Sequence, residues 1–89
     1  MKAVLSVIGK DEVGILAMIA NECANAKINV LDVSQTIVDG MFTMTMIVDI
    51  DNMDQPLCEF ASYMEEVGNA KSLVIRVMHQ DIFDSMHKI

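Results

Sequence analysis

Apolar and polar positions along this chain fall into two alternating periods. Lys2 to Ile8 is a short run rich in Val and Ile and reads as a first strand. Gly9 to Val13 is a turn. Gly14 to Ala26 changes to helical composition, with Leu16, Ile19, Ala20 and Cys23 on one stripe, and Asp11 or Glu12 near its start suits the positive end of the helix dipole. Ile28 to Val38 and Met41 to Ile50 read as the next two strands, joined by Asp39-Gly40, the strongest short-range hairpin signal. A two-residue loop sets Val38 opposite Met41 and Ile37 opposite Phe42. One face then collects Leu31, Val33, Ile37, Phe42, Met44, Met46, Val48 and Ile50, with Gln35 as a polar intruder. The other collects Asp32, Ser34, Thr36, Thr43, Thr45 and Asp49, with Val30 and Ile47 as apolar exceptions. A register taken from the turn thus sorts the residues by polarity, which supports the hairpin independently.

The second half repeats the pattern. Asp54 is placed to N-cap a helix with Pro56 in its first turn. Leu57, Phe60, Ala61, Met64 and Val67 follow at helical spacing, and Gly68-Asn69 is the expected stop. Lys71 to His79 is a fourth strand in which Leu73, Ile75 and Val77 alternate with Val74, Arg76 and Met78. The order βαββαβ, with no linker or repeat, predicts a ferredoxin-like α+β sandwich: a four-stranded antiparallel sheet with two helices on one face. Val33, Phe42, Met46 and Val48 are expected beneath Leu16, Ile19, Leu57, Phe60 and Met64. Residues 1–79 form the domain. In the tail, 80–89, Ile82, Met86 and Ile89 share a stripe that predicts a short amphipathic helix with Phe83 as its anchor; the alternative is a frayed terminus.

Composition adds constraints. A chain of 89 residues makes one domain and buries only roughly 60–65% of its unfolded surface. Yet 53% of its residues are hydrophobic, nine of them Met. Either Met fills an irregular core or a second subunit covers part of the surface. A net charge of −7 excludes a basic footprint for nucleic acid and disfavours anionic membranes. No apolar run approaches the roughly 18 residues of a membrane span, and a reduced cytoplasmic protein is expected, with Cys23 and Cys58 in two helices on or near their apolar stripes.

Several chemistries that this fold can host lack their essential group. The loop after the first strand has no Cys pair for a soft metal and no Arg for a phosphoryl group. Phe42, the one aromatic in a strand, points toward the helices rather than outward for base stacking. Asp49, Asp51 and Asp54 fail the calcium-loop pattern, and Cys23, Cys58, His79 and His87 lack zinc spacing. No nucleophile has an activating signature. No catalytic residue, metal or cofactor is therefore assigned. What the loop does hold is Gly14 at a helix start, where unpaired N–H groups and the dipole favour an anion. The plainer reading is that Gly14 relieves a tight turn.

The run Lys10-Asp11-Glu12-Val13-Gly14-Ile15-Leu16, followed one helix later by Asn29-Val30-Leu31-Asp32-Val33-Ser34-Gln35-Thr36-Ile37, resembles the ACT domain, a small regulatory module. The second segment looks like the free-standing ACT proteins of bacteria and archaea, and the chain as a whole is similar to the glycine-cleavage repressor type of ACT protein. The resemblance covers residues 2 to about 79 and implies strand order 4-1-3-2. It also implies amino-acid binding at the loop after the first strand and the start of the second, at Asp11, Gly14, Ile15 and Leu16 with Asn29, Val30 and Leu31. Val13 stands where many members have proline. The resemblance further implies a homodimer, joined by sheet edges or by sheet faces, with Val4, Ile8, Val30, Ile47, Val74 and Met78 available on the outer face. Regulation through a partner protein follows, and an interaction module without a small-molecule ligand is the alternative.

Overall fold

The computed structural model describes residues 1–10 and 13–86. Its elements are β1 (Lys2–Lys10), α1 (Ile15–Asn25), β2 (Asn29–Val38), β3 (Met41–Asp49), α2 (Leu57–Ala70), β4 (Leu73–His79) and α3 (Gln80–Met86). The strands form one antiparallel sheet in the order β2-β3-β1-β4, the arrangement expected of a ferredoxin-like sandwich.

The hairpin begins as its turn requires. Asp39 and Gly40 both have positive φ, 53° and 78°, which matches the twist of the flanking strands. Pairing then runs from Val38↔Met41 through Ile37↔Phe42 to Asp32↔Ile47. Between Asp32 and Val30 the register shifts, leaving Leu31 as the extra residue of a bulge. A one-residue slip moves a side chain to the other face. Val30, expected on the outer face, therefore sits opposite Val48 and packs against the core, and Leu31 is 46% exposed.

The core lies between the inner face of the sheet and two helices. Ala3, Leu5 and Val7 of β1, Met44 and Met46 of β3 and Ile75 of β4 are sealed beneath Ile19 and Cys23 of α1 and Phe60 and Met64 of α2. Phe42 and Val48 are buried as expected, and Thr43 is exposed. On α1, Ile19 and Cys23 are buried as expected, but Ile15 completes the stripe in place of Leu16, and Leu16 and Ala20 turn outward. Val33 also departs from expectation at 37% exposed. Two helices do not reach across four strands, and all of 31–38 on the edge strand β2 is exposed.

Two boundary signals in α2 act differently from their usual roles. Pro56 in extended conformation is its N-cap, while Asp54 pairs with Lys27 at 3.3 Å. The helix also continues through Gly68 and Asn69 to Ala70. Gly68 is buried, and a Cβ there would stand 2.7 Å from the Leu73 carbonyl oxygen and 2.9 Å from Ile75 Cγ1. This glycine serves close approach of α2 to β4, not termination.

The tail crosses to the opposite face of the sheet. Val4 is paired with Ile47 and Met78 on the side away from α1 and α2, yet it is only 3% exposed. Phe83 and Met86 of α3 stand over the same region, while Ile82, 52% exposed, lies beside Leu57, Val77 and Met78. The expectation for Ile89 falls outside the described residues.

Phe42→Ala should lower unfolding free energy by roughly 3–5 kcal/mol in chemical denaturation, because it empties a filled core position. Gly68→Ala should cost about 1–3 kcal/mol by the same measurement, since the new methyl meets backbone that cannot yield. A stability gain from Gly68→Ala, as expected of an ordinary helical glycine, would contradict the close approach.

Candidate functional site

The chain leaves β1 at Lys10 and enters α1 through Gly14, whose φ of 88° is left-handed. A side chain there is disfavoured by about 1–2 kcal/mol whatever the surrounding space. Among the described residues nothing lies within 4 Å of where a Cβ would sit. Backbone conformation is thus the local reason for glycine. The Gly14 carbonyl accepts the first helical bond from the Met18 N–H at 3.0 Å. Among the described residues no side chain caps the helix, and no acidic residue lies in its first turn. The N–H groups at this end are the orphan donors of a helix start. Asp11 and Glu12, expected beside them, lie outside the described residues.

A small groove of about 70 Å³ opens at this point, lined by Val13, Gly14, Ile15, Met18, Lys71 and Leu73. It is open to solvent and has room for a carboxylate. Lys71 supplies a cation that the sequence reading did not assign to the site. The signal was in the topology: β4 runs antiparallel to β1, and Leu73 pairs with Gly9. The start of β4 therefore lies where β1 ends. Ile15 contributes backbone alone, because its side chain is buried, whereas Leu16 is 39% exposed.

The other expected residues are elsewhere. Asn29 pairs with Asp49, which pairs with Lys2, so Asn29 is level with the beginning of β1. At about 3.3 Å per residue, the nine residues of β1 separate that row from Lys10 by roughly 26 Å. Gly14 and Asn29 thus occupy opposite ends of one sheet. Val30 faces the core and Leu31 occupies the bulge.

Several other polar groups have local partners. The Asp51 carboxylate accepts from the Met1 ammonium, which raises the ammonium pKa and lowers that of the acid, and the Asp49 carboxylate accepts from the Asp51 N–H at 2.9 Å. Tyr63 donates to Glu22 at 2.8 Å, tying α2 to α1, and this bond raises the phenol pKa. Among the described residues no three metal-binding side chains converge. Cys23 is buried and its thiol is pushed up to about 11 by desolvation, with Glu22 adding to the shift. Cys58 is exposed, near the apolar stripe and beside Leu57 and Ala61. No helix among the described residues is long and apolar enough to cross a membrane.

The ACT-domain profile matches residues 1–56. A UPF0237 protein of Listeria innocua is 44% identical over 89 residues, covering 100% of both chains. The solved ACT domain protein from Streptococcus pneumoniae superposes with a TM-score of 0.82 at 32% identity, covering 94% of each chain. A chain assigned as a glycine cleavage system transcriptional repressor shares the fold, with a TM-score of 0.71 at 18% identity over 85% of this chain and 43% of that one. The chain belongs to the ACT-domain family, and within it to the UPF0237 group of small proteins. ACT domains are regulatory modules, as the sequence resemblance implied.

Thiol labelling near pH 8 should modify one cysteine, Cys58, in the native protein and two after unfolding. The raised Cys23 pKa also sets a sign for alkaline stability. The native thiol keeps its proton where the unfolded one, with a pKa near 9, has lost it. Stability should therefore fall as pH rises from about 9 towards 11, and Cys23→Ala should flatten that part of the profile.

Proposed function

We propose that this protein is a regulatory sensor that binds an amino acid at the start of α1 and acts as a dimer joined through β2. The observation that carries this reading is the open helix start at Gly14, beside Lys71. A ligand carboxylate would meet the N–H groups at Gly14 to Leu16 and the Lys71 ammonium. Asp11 would take the ligand ammonium. The Asn29 amide, with both donor and acceptor, would hold either group.

Asn29 reaches this site only from a second copy. β2 is an edge strand whose one charged residue is Asp32, and Asp32 accepts from the adjacent Val33 N–H. It has no Pro or Lys to discourage pairing. Its exposed Val33, Ile37 and Val38, together with Leu16, offer apolar area. Antiparallel pairing of two β2 strands would set Asn29 of the partner subunit beside Val38, at the Gly14 end of the sheet. α3 lies on the outer face, which favours the edge over stacking of sheet faces. Binding and assembly would then be one linked equilibrium.

Light scattering should give a dimer at micromolar concentration. A thermal-shift screen of amino acids should find one ligand that stabilises by about 2.7 kcal/mol at 100 times its dissociation constant. Asn29→Ala should remove that shift and leave the dimer intact. If no amino acid binds below millimolar concentrations, a protein-interaction module without a small-molecule ligand becomes the better reading.

A further inference from the structure

The outer face of the sheet carries a second groove, of about 400 Å³, within the usual range for small-molecule sites. Its floor has an ordered chemistry. Ser6 pairs with Thr45 on one side and Arg76 on the other, so the three form a polar row across β3, β1 and β4. The rows on either side are apolar at their centres, Val4 flanked by Ile47 and Met78, and Ile8 beside Val74. Phe83 and Met86 of α3 form the wall above this floor.

Arg76 is the only arginine of a chain with net charge −7. Its Nη1 donates to Glu65 Oε1 at 2.8 Å, which holds the guanidinium at the β4 edge. A guanidinium has five N–H donors in a fork that matches a carboxylate, so this single bond leaves donors for a ligand. Ser6 and Thr45 are half-buried, and among the described residues neither takes part in a side-chain hydrogen bond.

We propose that this groove binds a small organic carboxylate bearing an apolar group. The carboxylate meets Arg76 and the hydroxyls of Ser6 and Thr45, and the apolar group lies along the wall of Phe83 and Met86, Val4 beneath being already covered by α3. The site is separate from the helix start at Gly14, being on the opposite face of the sheet.

Phenylbutyrate and its neutral amide are suitable probes, titrated into the full chain and followed by backbone amide NMR. Shifts should concentrate in residues 4–8, 43–45 and 76–83. The amide should bind at least about tenfold more weakly than the acid, and Arg76→Gln should weaken the acid by a similar factor, as expected for lost charge-assisted bonds. Phe83→Ala should weaken acid and amide alike. Equal binding of acid and amide, an unchanged affinity in Arg76→Gln, shifts centred on residues 13–18, or no saturation by about 10 mM would each overturn the proposal.

Discussion

The pairing of β1 with two neighbours at once is the constraint on which the rest of the structure depends. Its residues face β3 over the full strand and β4 over most of it. Each inward side chain is therefore surrounded by side chains from both neighbours, and Ala3, Leu5 and Val7 are fully buried. Because the end of β1 is held between β3 and β4, the entry to α1 is held too. Gly14, Lys71 and Leu73 meet there through that pairing, although nearly sixty residues separate the first two in the chain.

Coverage of the sheet explains where chemistry is available. α1 and α2 close the inner face over three strands and leave β2 at the margin. Met fills much of the interior, with Met44, Met46 and Met64 fully buried, while Met41 and Met86 lie exposed. The high apolar content thus has two destinations: an irregular core and an uncovered edge. α3 shelters Val4 on the outer face and creates a groove there, so the two faces and the edge have distinct characters.

The polar groups sort by the same geometry. No buried polar or charged residue appears among those described, and the ion pairs are exposed. Such pairs contribute little to stability in water. Specificity in this domain therefore rests on apolar fit and backbone conformation, with the few cations placed at the ends and edge of the sheet. Lys71 at the end of α2, beside the start of α1, and Arg76 at the β4 edge are conspicuous for that reason in an acidic chain.

Much of this architecture was legible in the chain. Alternation in the strands, the Asp-Gly turn and helical spacing in 57–67 depend on local periods that burial of one face imposes, and they determined element order, hairpin register and the inward position of Phe42. The resemblance to ACT domains added strand order. Other features arise between segments distant in sequence. The bulge at Leu31 reverses Val30 because a ladder can absorb one extra residue without any local marker. Val33 and Leu16 are exposed because two helices are narrower than four strands, a matter of lateral coverage that hydrophobic pattern does not encode. Gly68 resembles a helix stop until β4 is packed against it, and Lys71 resembles a strand-end lysine until β4 is aligned with β1. The separation of Gly14 from Asn29 by the length of β1 likewise appears only in three dimensions. The chain by itself determined which residues seek burial and in what period; the packed sheet decided which of them found cover, because cover depends on neighbours that sequence distance does not reveal.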